Sequence, residues 1–441
     1  LDLPPLAERM RSHDDHTGRS QAMMLTQIVW GTTDITVGTA GDQTAVSTGQ
    51  LVDQWQENNR NYFRYQSGPQ SRGKFTLYSG RYSVYTDDSY RVPIEIYYHP
   101  QHIDNVELIA EQIAQALTFY EDTFGPYPFE QVRVVEFVYY DGMIFSEGGT
   151  IGIPEVLVWK SQAEGLGREE IISWVTYLLA QSWWEDQLIA ADVAGGMTIR
   201  EALSDYASNL YMRSQRTPAQ QDLAQKQRLR DFFRSLGKID FQEPPLIDIY
   251  NELPIARHKG SLILELIEDQ IGQKAVLKGL RTFLADNRYQ GPPYATVLDL
   301  RDALIAQAPS ATQQATIRDL FAQVLTYQVG LAEATYASRP DGKFDIRLML
   351  EAQKFQTTGL GQQAALPLNL PVTIELTDTE GNPIQTVKPH LTAAQTTLTL
   401  TSDTQPAFAA VDPEYRLPSA YLQDNIKQVR LSRPNRATQK Q

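Results

Sequence analysis

Residues 174–187 read W-V-T-Y-L-L-A-Q-S-W-W-E-D-Q. With Glu169 and Glu170 ahead of it, well placed for the positive end of a helix dipole, the stretch predicts one long amphipathic core helix over Glu169–Leu188. A second helix is expected at Thr198–Arg213, opening T-I-R-E-A-L-S-D-Y. There Thr198 and Glu201 have the spacing of a capping box, in which the acid bonds back to the cap.

Working outward, apolar spacing predicts further helices at Ile103–Asp122, Gly260–Ile271, Lys274–Asp286, Arg301–Ala308 and Thr312–Tyr327. Another is expected at Thr217–Leu236, with Thr217 as its cap and Pro218 in its first turn. Ahead of this block the chain reads as extended. Lys74–Tyr85 and Val92–Tyr98 flank a turn at Asp87-Asp88-Ser89, and Val132–Tyr139 is a short apolar strand. After Pro340-Asp341-Gly342, Phe344–Glu351 alternates, and Val372–Leu376 and Thr396–Thr401 are strand-like, with a turn at Gly381-Asn382-Pro383. The fold class expected is α+β and multidomain. Its parts are a β-rich N-terminal region (1–98), a mainly helical domain (99–334), a β-sandwich (335–430) and a polar, basic, disordered tail (431–441).

The totals agree with that division. A chain of 441 residues is too long for one ordinary core. Its 42% hydrophobic and 21% charged residues describe a globular, water-compatible protein. Charge, Pro or Gly interrupts every apolar run well before a membrane-spanning length. The chain opens on Leu1 rather than Met, which leads us to expect a longer parent chain. Fifty-three acidic against 39 basic residues give a net charge of −14, which repels phosphate backbones, so nucleic acid is not an expected partner. With no cysteine there is no disulfide, thiolate metal site or cysteine nucleophile.

A zinc-peptidase helix needs two imidazoles one turn apart and a carboxylate beside the first, with a third ligand from the next helix. Registered on its tryptophans, so that Gln181–Trp184 lie where such helices read H-Q-W-W, the stretch puts Tyr177 at the first histidine and Gln181 at the second. Leu178 falls at the general base and Glu201 at the third ligand. An ordinary core helix and a capping Glu201 account for the same residues without metal. The six histidines are His13, His16, His99, His102, His258 and His390. His99 and His102 have a metal-like spacing, but Pro100 keeps them off a helix and a solvated loop is expected. There is no G-x-S-x-G elbow, and no phosphate-binding G-x-x-x-x-G-K followed by Ser or Thr.

Several pieces, in order, resemble the gluzincin aminopeptidases of the alanyl-aminopeptidase type. Phe124-Gly-Pro-Tyr-Pro-Phe129 resembles the F-G-x-P-Y-P stretch that opens the catalytic domain there. Met143-Ile-Phe-Ser-Glu147-Gly-Gly falls where that family has G-x-M-E-N, which binds the substrate's free amine. Trp183-Trp184 follows, then R-E-A-L-S-D-Y in place of N-E-G-x-A-x-Y, and Ala256-Arg-His-Lys-Gly260 in place of Y-x-K-G. The likeness runs over about residues 75–330. It is closer still to a subfamily fused to a membrane-embedded ABC-type permease, through Ile96–His102, Arg133–Phe137, Phe145–Glu147, Val411–Tyr415 and Asp424-Asn425.

The resemblance implies a thermolysin-like α/β domain, a shortened N-terminal β domain, and a position outside the cytoplasm, attached to a transporter subunit. It also implies that the zinc ligands would be Tyr177, Gln181 and Glu201, the base Leu178, and the oxyanion-stabilising tyrosine Arg257. Tyrosine and glutamine replace imidazole poorly, and leucine moves no proton. Zinc and catalysis are therefore expected to be lost. The expected function is an inactive binding or regulatory module. Its cleft would be lined by Glu147, Tyr177, Gln181, Trp183, Glu201 and Arg257, and Glu147 with Glu201 would meet a peptide's cationic N-terminus. A protein partner or the permease portion are the other expected partners. The alternatives are a metal-dependent aminopeptidase with an atypical zinc site, using His99 or His258 near Glu201, and a structural spacer whose cleft is filled by side chains.

Overall fold

The computed structural model describes residues 11–23, 28–138, 144–159, 166–357 and 362–432. Residues 1–10, Tyr139 of the expected strand, Met143 of the M-I-F-S-E-G-G run and the tail beyond 432 lie outside the described residues. The fold is mixed α and β, with several sheets and nine α-helices among the described residues. No helix there is long and apolar enough to cross a membrane. The chain divides into two compact units: 11–216 with Leu246–Phe321, and Thr217–Pro245 with 322–432.

The first unit opens with a helical turn, α1 (His16–Arg19), and five strands: β1 (Gly31–Ala40), β2 (Thr44–Ser47), β3 (Gln50–Glu57), β4 (Arg60–Ser71) and β5 (Leu77–Gly80). They form an antiparallel sheet in the order β1-β4-β3 and a β2–β5 pair. Asn58 and Asn59 join β3 to β4 with φ of 49° and 59°. That is the two-residue turn whose twist suits a hairpin, and asparagine tolerates its left-handed backbone.

A five-stranded sheet follows in the order β6-β7-β8-β10-β9, from β6 (Ser83–Asp87), β7 (Ile94–Tyr98), β8 (Val132–Phe137), β9 (Phe145–Glu147) and β10 (Thr150–Pro154). Its centre is parallel, and α2 (Val106–Phe124) makes the crossover from β7 to β8 that a parallel pair requires. β8 and β10 are buried along almost their whole length, as central parallel strands are. β9 runs antiparallel to β10 at the sheet's edge and carries Glu147 to the site.

The helices α3 (Leu166–Trp184), α4 (Gly196–Ser214), α6 (Gly260–Ile271), α7 (Gln273–Asn287), α8 (Val297–Ile305) and α9 (Ala311–Ala322) complete this unit. α3 and α4 approach closely because small hydroxyls meet between them, with Thr176 Oγ1 and Ser208 Oγ 2.8 Å apart. On its other side, the Tyr120 hydroxyl of α2 donates to the Thr176 carbonyl at 3.1 Å. α8 begins earlier than Arg301 because Thr296 and Asp299 form the capping box there. The capping box expected at Thr198 does not form. α4 starts at Gly196 behind a left-handed Gly195 (φ 74°), so Thr198 lies within the first turn and its hydroxyl donates to the Leu246 carbonyl at 2.9 Å. The side chain of Glu201 is thereby left for other partners.

The second unit holds α5 (Pro218–Leu236), capped by Thr217 and Gln220 with Pro218 in its first turn, together with the C-terminal strands. Lys226 on α5 lies 5.0 Å over the Tyr415 ring. The helix expected to reach Tyr327 stops at Ala322, and β11 (Leu325–Ser338) begins. Leu325, Tyr327 and Val329 alternate inward, a period of two that fits a strand and no helix. β11 pairs with β12 (Phe344–Thr357), which also pairs with the strands Gln363–Leu366 and Gln395–Ser402. A four-stranded sheet is built around Ile374–Thr377 and Phe408–Val411.

Candidate functional site

A cleft of about 920 Å³ opens within the first unit. It is lined by residues 22–23, residues 72–76, the edge strand β9, α3 with Glu185 just after it, residues 188–190, the start of α4, and the approach to α6. That approach is a π-helical turn, Ile255–Lys259, which holds Arg257 and His258 at the cleft wall. Wide turns of this kind often mark places where a helix re-aims side chains at a site.

Tyr177, one turn before Gln181 on α3, faces Glu201 on α4. The Tyr177 hydroxyl donates to Glu201 Oε2 at 2.5 Å. Arg200, the neighbour of Glu201, lays its guanidinium on the other oxygen, with Nε and Nη2 at 2.8 and 2.6 Å from Oε1. Burial, and then the Glu201 charge, push the Tyr177 phenol far above its usual range, so it stays protonated and acts as donor.

Arg200 also reaches Glu185 at 3.4 Å, and Arg72 meets Glu185 from the other side at 2.8 Å. Burial alone would raise Glu185, but Arg200 and Arg72 outweigh it and hold the carboxyl down at about 2. Lys74 pairs with Glu147 at 3.1 Å. Behind them Asp186 is buried with neither carboxylate oxygen in a hydrogen bond of ordinary geometry among the described residues. Burial, and then Glu147, push its pKa well up.

Arg257 is held differently. Its Nε donates to Asp205 Oδ1 at 2.9 Å, and its guanidinium carbon sits 3.8 Å from the Tyr177 ring centre and 4.6 Å from that of Trp174. The aromatic faces and the carboxylate together fix the plane of the guanidinium.

Of the residues singled out in the sequence, the cleft brings together Glu147, Tyr177, Leu178, Gln181, Glu201 and Arg257. Trp183 is not among them. It is wholly buried between Tyr120 and Tyr127, and its indole N–H donates to the Gly125 carbonyl at 2.8 Å. Trp184, one residue on, lines the cleft instead. His258 lines the cleft with Glu201, whereas His99 and His102 sit at the end of β7 around Glu136, with His102 Nδ1 2.5 Å from its carboxylate. Among the described residues no group of three or more His, Asp or Glu side chains is arranged to hold a metal ion. The sequence reading missed Arg72, Lys74, Trp174, Glu185, Arg200 and Asp205. Only Arg200 carried a signal, standing directly before Glu201 where the resembled family has asparagine.

No protein-family model matches the chain. Aminopeptidase 2 of Candida albicans is 24% identical over 215 residues, which are 46% of this chain and 23% of that protein. The mitochondrial aminopeptidase 2 of Saccharomyces cerevisiae is 24% identical over 275 residues, 59% of this chain and 27% of that protein. The chain thus spans about a quarter of the length of these curated relatives. Among solved structures, Legionella pneumophila aminopeptidase A in complex with aspartic acid superposes with a TM-score of 0.61 at 16% identity, over 89% of this chain and 45% of that one. The fold is aminopeptidase-like.

Proposed function

We propose that this chain is a catalytically inactive aminopeptidase-like domain, serving as a binding or regulatory module on the extracytoplasmic side of a transporter-type membrane protein. The observation that carries the loss of catalysis is the engagement of Glu201. Both its oxygens are occupied, one by the protonated Tyr177 hydroxyl and the other by the Arg200 guanidinium. A zinc ion does not fit this set: a protonated phenol donates rather than ligates, an amide is a weak ligand, and a cation already covers the remaining carboxylate. Leu178, at the position of the base, has no atom that accepts a proton. The open cleft supports a binding role over the spacer reading, which needs that space filled. The transporter context and the extracytoplasmic location rest on the sequence likeness alone.

One observation favours the second reading, an atypical zinc aminopeptidase: His258 lines the same cleft as Glu201. Metal analysis of protein purified without chelator, paired with aminoacyl-arylamide hydrolysis, separates the two. We expect no stoichiometric zinc and no hydrolysis above a heat-denatured control. One zinc per chain with hydrolysis abolished by chelator would establish the enzyme, and would direct attention to His258.

A further inference from the structure

The cleft's charged groups are unequally satisfied. Each carboxylate on its wall already has an internal cation. Glu147 has Lys74 at 3.1 Å, Glu201 has Arg200 at 2.6 Å, and Glu185 has both Arg72 at 2.8 Å and Arg200 at 3.4 Å. A ligand ammonium group entering here would have to displace a guanidinium or ammonium built into the wall. That exchange gains little, because one charge-assisted hydrogen bond is traded for another.

The cations are not all consumed in the same way. Among the described residues the hydrogen bond and ion pair of Arg257 both run through Nε to Asp205, and its two terminal amino groups take no part in them. Asp205 does not line the cleft, and holds the guanidinium from behind the wall. The Tyr177 and Trp174 rings lock the guanidinium plane, so its entropy cost of binding is largely met before a ligand arrives. A free, planar, preorganised pair of N–H donors matches the two oxygens of a carboxylate. The same cleft wall carries the apolar side chains of Phe75, Trp184, Leu188, Ile189 and Met197. A cleft of about 920 Å³ whose wall combines apolar side chains with converging charged groups is of the size that encloses a small organic ligand.

From this we infer that the cleft binds an apolar ligand through a carboxylate docked on the free edge of Arg257, and does not capture a free amino terminus. The inference rests on the reading of the cleft as a binding site, and it names the class of ligand that site takes. A peptide's C-terminal residue bearing an apolar side chain has the required chemistry. The place foreseen for a ligand amine beside Glu147 and Glu201 is taken, on this view, by Lys74 and Arg200 as internal counter-ions.

Three probes separate the possibilities in titrations followed by calorimetry: N-acetylphenylalanine, which has a carboxylate and no amine; N-acetylphenylalaninamide, which has neither; and phenylalaninamide, which has the amine alone. The expected order places the free acid at least tenfold tighter than either amide. Arg257→Lys keeps a charge for Asp205 but loses the fork, and is expected to weaken the acid at least tenfold while leaving the neutral amide unchanged. Arg257→Gln should weaken it further, with circular dichroism and melting temperature confirming that both variants fold. Tighter binding of phenylalaninamide than of the acid would overturn the inference while leaving the cleft a binding site. Acid binding indifferent to Arg257→Lys would overturn the assignment to Arg257. Absence of binding by all three probes would remove the binding-site reading itself and this inference with it.

Discussion

Arg200 decides what Glu201 can do. A guanidinium and a zinc ion compete for the same carboxylate oxygen, and Arg200, part of the chain itself, lies 2.6 Å from it. Restoring the missing ligands is therefore not expected to restore the metal. The triple variant Tyr177→His, Leu178→Glu, Gln181→His should bind zinc about 10–100-fold more weakly than the same variant carrying Arg200→Asn as well, a range typical of residues that act on a ligand from behind. Glu185 tolerates the fourth change because Arg72 remains 2.8 Å from it. Competition titrations with a chromophoric chelator measure the two affinities, and equal values would remove Arg200 from the account. At this scale the sequence was legible only where neighbours in space are neighbours in the chain. Arg200 stands beside Glu201, but Arg72 and Lys74 reach Glu185 and Glu147 from more than seventy residues away, brought there by strands whose pairing no local pattern encodes.

Among the elements, α3 was the easiest to find and the hardest to orient. Val175 to Trp184 are all buried, so apolar periodicity marks the helix but does not say which side meets the cleft. The sequence pattern therefore does not distinguish Trp183, which is buried in the core, from Trp184, which lines the cleft. The π turn at Ile255–Lys259 and the early start of α4 were equally hidden, since both depend on what packs against them. The contact of α4 with α6 makes the point testable. Gly260 opens α6 directly against Ala202, and a methyl group at Gly260 would collide with the Ala202 Cβ. Gly260→Ala is expected to destabilise the protein by about 1–3 kcal/mol through overpacking, although alanine is the better helix former. Adding Ala202→Gly should recover most of the loss, and thermal melts of the two variants give the comparison. If the single variant melts at or above the parent temperature, the two helices are not held at that separation.

Across the whole molecule the chain's own tryptophans divide the two units. All six (Trp30, Trp55, Trp159, Trp174, Trp183 and Trp184) belong to the unit that holds the cleft, and the unit built on α5 and the C-terminal strands has none. Indole fluorescence therefore follows the cleft unit alone, whatever the other unit does. The order of modules along the chain could be read from periodicity, because β-rich and helical stretches differ over tens of residues. The grouping of α5 with strands a hundred residues later could not, because it arises from long-range contacts. The fluorescence separation permits a pH test of the buried ion cluster. Glu185 titrates at about 2 in the folded chain against an ordinary 4.5, so it is ionised more readily folded than unfolded. Its contribution is complete above 4.5 and drains away as pH falls toward 2. The displacement from 4.5 to about 2 corresponds to roughly 3 kcal/mol. Glu185→Gln should therefore lower fluorescence-detected stability at pH 7 by that order, and the gap to the parent should shrink to about half by pH 3. A gap that stays constant from pH 7 to pH 3 would mean that Arg72 and Arg200 stabilise Glu185 no better than water does.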